Sequence, residues 1–458
     1  MSTTFKAAVA LPDSKVEIRE FQTPAPKADA GLLKVAITGV CGSDWMFFQD
    51  LPKTRGPVIL GHETVGYVEE MGATAALKWG VKEGDLVALE EYVPCGHCAY
   101  CRSGDFRLCN ASDWRLGGMR YGATGLNIGS GLWGGYSQYQ ELHLNTVFHK
   151  VPQGLAPKYA ALALPISNGI EWVYLQGGAG PGQTVMIQGP GQQGLACVIA
   201  AREAGVSNII ISGLDTPTDL KRLALAKRLG AHHTVVIGQQ DLLETVADIT
   251  GGLMADLVVD CASGGPASVV SAIQLARKKG RVILGGIKRQ KVPQFDSDMV
   301  IAKFLTVKGM RGHSYESVEL ALQMIAANRH NVQEMSTHLF GLAQTEYALR
   351  TLVGEGAEDA DRGEASVLVA GDDTTAVGQP RFSPVDGTLE RAVHPNPFKR
   401  YDSLSEFLFD LRQPNANYLN TSSTPLIERN PLLFWKSTTI VLALAVIVLL
   451  RSEEHTSE

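Results

Sequence analysis

The chain has 458 residues, 45% of them apolar, and a formal charge of −6. That length supports two or three globular units with proper cores. The mildly acidic balance gives no footing for a nucleic-acid partner, whose phosphate backbone calls for a basic surface. The opening MSTTFKAAVALPDSKVEIRE is too polar for a secretory signal, so a reducing, cytoplasmic compartment is expected.

Residues 1–155 read as short strands punctuated by Gly and Pro, among them LLKVAITGV, HETVGYVEEMG and GDLVALEEYV, which suits a β-rich, barrel-like domain. Within it, about residues 92–112 carry Cys95, Cys98, Cys101 and Cys109 in the stretch PCGHCAYCRSGDFRLC. Tetrahedral zinc wants four soft thiolates, and this spacing in a turn-rich loop delivers them with little strain. Two disulfides are the alternative, which the reducing compartment disfavours. A closed four-thiolate site has no open position, so this zinc is expected to hold a lobe and do no chemistry.

Residues 156–304 change to strand–helix alternation. TVMIQG, NIIISG, HTVVI, DLVVDCASG and RVILGG are strands, and QQGLACVIAAREAG and LKRLALAKRLGA are helices, predicting a doubly wound parallel sheet of the Rossmann type. Gly189, Gly191 and Gly194 form G-x-G-x-x-G between the first strand and its helix. In that context the glycines permit the turn, let backbone approach a pyrophosphate and let helix and strand pack closely, while the helix start offers free N–H groups to phosphate. The second strand ends at Gly213, with Asp215 two residues on and Arg222 beyond. A carboxylate there suits the ribose of NAD and an arginine the extra phosphate of NADP, so both cofactors stay open. Residues 305–372 add a helix, SYESVELALQMIAANR, and the strand ASVLVA.

Cys41 in GVCGSD and His62 in GHETVG have the ligand types of a catalytic zinc. With the VKEGDLVAL strand, the four-cysteine lobe, GPGQQG and KGMRGHSYESVELAL in that order, they make the chain resemble the zinc-containing medium-chain dehydrogenase/reductase family, the alcohol and polyol dehydrogenases, over about residues 5–372. The resemblance implies an α/β protein: a GroES-like catalytic domain split around a Rossmann NAD(P) domain, with the active site between them. It implies Cys41 and His62 as ligands of a second, catalytic zinc, Asp44 orienting His62, Glu63 behind the metal and Ser43 passing the alcohol proton outward. Two positions depart from the pattern: Leu164 falls where a third ligand is usual, and Met46 where some members extend the proton relay with histidine. Glu63 is then the candidate third ligand. The expected activity is reversible hydride transfer between a CH–OH group of a small alcohol, or the corresponding carbonyl, and a nicotinamide. The alternatives are a carbonyl or enone reductase that kept only the structural zinc, and a membrane-anchored nucleotide-binding module. Trp45, Phe47 and Trp133 are candidate pocket aromatics, and by the resemblance the enzyme is a homo-oligomer.

Beyond residue 372 the composition shifts. Residues 373–431 form a linker and a segment, GTLERAVHPNPFKRYDSLSEFLFDLRQPN, that resembles the end of a bacterial kinase domain of bifunctional kinase/phosphatases, without its catalytic motifs. Residues 432–450 carry one charge, Lys436, and are long enough for a single transmembrane helix, with a buried core helix as the alternative. The last eight residues, 451–458, match a translated sequencing adapter. A chimeric gene model accounts for this tail most simply; a genuine membrane-tethered dehydrogenase is the rival.

Overall fold

Near-continuous apolar runs in the first 150 residues leave little choice but strands buried on at least one face. In the computed structural model, which describes residues 4–24, 27–49, 56–113, 116–355 and 366–371, they become β1 (Thr4–Ala10), β2 (Val16–Gln22), β3 (Ala30–Val40), β4 (Val58–Ile59), β5 (Glu63–Met71), β6 (Leu86–Leu89), β7 (Tyr139–His143) and β8 (Phe148–Lys150). The short β1, β2 and β4 pair antiparallel, whereas β3 is the spine of a larger sheet, paired with β5 and β7. GDLVALEEYV does not stay a strand to its end: β6 stops at Leu89, and the side chains of Glu90 and Glu91 turn to His313 and Arg120 respectively.

The alternating segment gives β9 (Thr184–Gln188), β10 (Asn208–Leu214), β11 (His233–Ile237), β12 (Ala255–Asp260), β13 (Ala276–Leu284) and β14 (Thr306–Gly309). They form one parallel sheet in the order β11-β10-β9-β12-β13-β14. The order reverses between β9 and β12, and ligands of such sheets bind in the crevice at that switch, outside the strand carboxyl ends. Val185, Met186, Ile187, Ile209, Ile210, Ile211, Val258 and Val259 are buried, as strands covered on both faces require. The chain then returns to the first sheet: β15 (Ser336–Phe340) pairs with β16 (Ser366–Ala370), and β16 pairs antiparallel with β3. The predicted helix after β14 is present as Tyr315–Ala326, capped by Ser314 Oγ, which accepts from Ser317 N at 3.2 Å.

Two glycines of this domain sit where no side chain fits. A Cβ on Gly134 would lie 1.9 Å from the Ile59 carbonyl oxygen, and one on Gly66 would lie 2.4 Å from that of Lys34. Gly134→Ala is therefore expected to cost about 1–3 kcal/mol, the usual range for overpacking, read as a lower urea midpoint with an unchanged m-value.

Among the described residues no helix is long and apolar enough to cross a membrane. The expected transmembrane helix at 432–450, the kinase-like segment and the adapter-like end all lie outside the described residues.

Candidate active site and zinc centres

The turn after β3 and the start of β5 bring the candidate ligands together. Cys41 ends the turn, and the helix Gly42–Gln49 carries Ser43 and Asp44 in its first turn. His62 and Glu63 open β5 alongside, because β3 and β5 are hydrogen-bonded with Gly39 opposite Glu63. Gly39 is required there: a Cβ on it would fall 2.2 Å from Glu63 Oε2. The Cys41, His62 and Glu63 donor atoms lie within 4.8 Å of one another.

Asp44, fully buried, organises this corner. It accepts from Cys41 N at 2.9 Å, Gly61 N at 3.3 Å, Tyr136 Oη at 3.0 Å and His62 Nδ1 at 3.0 Å. With Nδ1–H committed to Asp44, His62 presents its Nε2 lone pair, the arrangement a metal-bound imidazole needs. Ser43 Oγ lies 3.3 Å from that nitrogen. Glu63 Oε2 is buried with no hydrogen-bond partner, and burial lifts its carboxyl to about 7. A buried carboxylate with one oxygen unpartnered, beside a thiol and an imidazole, is a donor set that a divalent cation completes. Asp44→Asn would put an amide N–H against groups that donate, so zinc affinity is expected to fall about 10–100-fold, the usual cost of losing an outer partner, read by chelator competition.

Leu164 lies on the helix Ala163–Gly169, buried against the same cavity, and brings no donor atom. Met46 and Phe47 also line that cavity. Trp133 does not; it packs in a separate core with Tyr121 and Leu142 and donates to Ile128 O at 2.7 Å. Trp45 instead packs against Phe48, ring centroids 5.7 Å apart.

The cavity is about 530 Å³ and extends from Cys41 and His62 past Asn168 and Trp172 to Gln193 and Gly285. Gln193 lies in the G-x-G-x-x-G turn, so the space beside the zinc ligands is continuous with the nucleotide crevice. There Gly189 has φ +94° and Gly194 packs so closely that a Cβ would lie 1.9 Å from Gly189 O, whereas Gly191 opens onto empty space at the start of the helix Gln192–Glu203. That is the cradle the sequence pattern predicts. At the end of β10, Gly213 backs onto Pro190 and Asp215 is exposed. Arg222 donates to Leu352 O at 3.4 Å and lies 3.8 Å from Asp219.

Residues that sequence reasoning passed over also face the cavity: Glu91, Arg120, Asn168 and His313. Glu91 and Arg120 form a buried ion pair. Burial raises the Glu91 carboxyl, but the charge and hydrogen bond of Arg120 together with His62 outweigh it and bring the group down to about 2. The doubled acid closing an apolar strand, ALEEYV, was a signal for Glu91; nothing local marks Arg120. Behind them His313 bonds Glu90 at 2.9 Å and Asn168 at 3.0 Å, and His149 bonds Glu90 at 3.3 Å and Glu319 at 2.7 Å.

That buried network predicts a pH profile for stability. Burial lowers the His149 pKa, but the Glu319 and Glu90 hydrogen bonds more than reverse this, so it ends raised from 6.5. The same bond lowers Glu319 from 4.5 against its burial. A raised histidine stabilises fully below its unfolded pKa and loses that contribution as pH rises through the folded one; a lowered carboxylate stabilises above its unfolded pKa and loses it on acidification. The pair therefore contributes most between 4.5 and 6.5. Glu319→Gln is expected to flatten thermal stability against pH at both edges of that window.

In the lobe, Cys98 Sγ lies 3.5 Å and Cys95 Sγ 3.9 Å from Cys101 Sγ. These match the edge of about 3.8 Å that a tetrahedron with Zn–S of ~2.3 Å demands. Backbone N–H groups already solvate the sulfurs: Cys95 N donates to Cys109 Sγ at 3.3 Å and Cys98 N to Cys95 Sγ at 3.4 Å. The His97 and Cys98 N–H groups bring Cys95 down to about 6, while burial pushes Cys101 up to about 12. None of the seven cysteines forms a disulfide.

A β-rich domain with a four-thiolate lobe, joined through a zinc-type cleft to a dinucleotide crevice, defines a zinc-containing nicotinamide oxidoreductase. Comparison with known proteins narrows the class. Residues 27–153 match the family described as alcohol dehydrogenase GroES-like domain, and residues 194–327 that described as zinc-binding dehydrogenase. Neither match reaches the tail, and nothing supports its kinase-like, transmembrane or chimeric readings. The chain is 34% identical over 352 residues to the probable alcohol dehydrogenase adh of Mycobacterium tuberculosis, covering 76% of this chain and 95% of that one. It is 30% identical over 336 residues to a sorbitol dehydrogenase of Halalkalibacterium halodurans, covering 73% and 92%. An alcohol dehydrogenase structure from Thermotoga maritima superposes with a TM-score of 0.69 at 25% identity, covering 80% and 99%. The protein belongs to the zinc-containing medium-chain alcohol and polyol dehydrogenase family. It is an NAD(P)-dependent oxidoreductase of CH–OH groups, with zinc as its metal.

Proposed function

We propose that Cys41, His62 and Glu63 hold the catalytic zinc, that Cys95, Cys98, Cys101 and Cys109 hold the structural one, and that the cleft between 1–155 with 305–372 and 156–304 is where a small alcohol or polyol meets the nicotinamide. The observation that carries this is the buried, unpartnered Glu63 Oε2 within 4.8 Å of the Cys41 and His62 donors. It supplies the third protein ligand that Leu164 does not.

When bound, zinc supplies a Lewis acid that lowers the pKa of an alcohol, and the nicotinamide accepts hydride. The protein does the rest by placement. Asp44 fixes the imidazole of His62, so its Nε2 keeps one direction. Ser43 Oγ, beside that nitrogen, takes the proton leaving the substrate hydroxyl and passes it toward the cleft mouth. Met46 offers no titratable group to continue that relay, so solvent accepts the proton from Ser43. Leu164, Trp172 and Phe47 give the cavity its apolar wall and keep bulk water from the reacting carbon.

The glycines Gly189, Gly191 and Gly194 cradle the pyrophosphate, and Gly213, Asp215 and Arg222 surround the place where the adenosine ribose ends. Free thiols support a reducing, cytoplasmic setting, and the family resemblance supports a homo-oligomer. The test is turnover of a panel of primary, secondary and polyhydroxy alcohols with NAD+ and NADP+, followed by nicotinamide absorbance. Oxidation that stops when zinc is chelated and returns with added zinc supports the reading. Chelator-insensitive reduction of carbonyls or enones, with no alcohol oxidised, would replace it with a zinc-free reductase.

A further inference from the structure

We propose that Glu91 is a fourth protein ligand of the catalytic zinc in the substrate-free enzyme, beside Cys41, His62 and Glu63, with Arg120 as its outer partner. This rests on the catalytic zinc site proposed above and adds a residue to it.

The geometry carries the assignment. His62 Nδ1 is committed to Asp44, so a metal would sit on Nε2. Glu91 Oε2 lies 3.5 Å from that same Nε2. With Zn–N and Zn–O bonds of ~2.0–2.2 Å, two donors sharing a tetrahedral zinc stand about 3.4 Å apart. Glu91 is buried and lines the cavity beside Cys41. It thus approaches the Cys41, His62 and Glu63 trio from the His62 side.

Charge supports the same conclusion. Zinc with one thiolate and the carboxylates of Glu63 and Glu91 would carry a net negative charge in a buried place, which is costly. The Arg120 guanidinium, paired with Glu91 and stacked 5.1 Å from the Tyr92 ring centroid, cancels it. Arg120 and His62 both meet Glu91 through the same oxygen, Oε2. A carboxylate has about four lone-pair positions, two on each oxygen, so Oε2 can accept from Arg120 and still turn a lone pair to the metal. Ligating carboxylates are commonly hydrogen-bonded in turn by such an outer partner, which sets their direction. With Glu63 standing in for position 164, Glu91 then brings the fourth donor, from just past the end of a different strand.

The experiment is zinc per chain, measured by mass spectrometry on the full chain after dialysis against graded chelator, for the wild type and three variants. The wild type is expected to keep two zincs. Glu91→Gln should release one of them at about tenfold or more lower chelator strength, at least the effect of losing an outer partner, while the lobe zinc stays. Arg120→Met should weaken the same zinc less. The double variant Glu91→Gln/Arg120→Gln leaves no buried charge unpaired, so it guards against simple misfolding, and it should lose the zinc as Glu91→Gln does. Retained NADH binding and the persisting lobe zinc report the fold in each case. If Glu91→Gln and the double variant hold both zincs as tightly as the wild type, Glu91 is a mere partner of Arg120 and the proposal is overturned. A wild type that holds only the lobe zinc would overturn the catalytic zinc site itself, a separate failure.

Discussion

His62→Ala is expected to cut kcat/KM for alcohol oxidation by about three to four orders of magnitude, the scale of losing several kcal/mol of Lewis-acid stabilisation. Zinc should fall from two per chain to one. The size follows from the position of His62: its Nε2 is the point on which Cys41, Glu63, Ser43 and Glu91 converge, and its Nδ1 is tied to Asp44. Removing the ring takes away a ligand and leaves buried Asp44 with one fewer donor, though Tyr136 and two backbone N–H groups still hold it. The global fold should therefore survive, and the loss should appear in kcat with NADH affinity unchanged. Steady-state kinetics, zinc analysis and NADH fluorescence together check this. A variant that keeps two zincs and most of its rate would remove His62 from the metal site.

Gly194→Ala is expected to strike the other half of the reaction. A Cβ there would lie 1.9 Å from the Gly189 carbonyl oxygen, in a turn where Gly189 already occupies φ +94°. Backbone must move, because no flexible side chain can yield. The displaced atoms are those that meet the pyrophosphate, so the overpacking energy of about 1–3 kcal/mol falls on cofactor binding. The Kd for NADH should rise roughly five- to hundredfold, with both zincs retained. Fluorescence titration reads the first and metal analysis the second. His62→Ala and Gly194→Ala thus separate metal from cofactor: each is expected to lose one and keep the other.

Much of this was legible in the sequence because the informative residues are local. Cys95, Cys98, Cys101 and Cys109 lie within one loop, and G-x-G-x-x-G spans a single strand–helix turn. Their partners are their near neighbours in the chain, so spacing alone fixes the chemistry. The parallel strands were legible for a related reason: strands buried on both faces have near-continuous apolar centres, as VMI in β9, III in β10 and LVV in β12 show.

Cys41 and His62 were a harder case. They are 21 positions apart, and only the resemblance joined them. The structure adds why they meet: β3 and β5 pair with Gly39 opposite Glu63, so the end of one strand and the start of the other share a corner.

Other features lay beyond the sequence because they are decided by distant pairings. Glu91 lay within the expected strand GDLVALEEYV, with nothing nearby to name its partner; it is buried against Arg120, 29 positions on, which neutralises it. Glu90 is held by His149 and His313, the latter 223 positions away. A buried charge is tolerated only where an opposite charge or hydrogen bond arrives to meet it, and such meetings are set by tertiary packing. The sequence by itself determined the ligand types, the phosphate turn and the alternation of strands and helices, since each is written in neighbouring residues. The tertiary structure alone decided that Glu91 and Arg120 face the same cavity as Cys41, His62 and Glu63, because that depends on which strand ends the fold brings together.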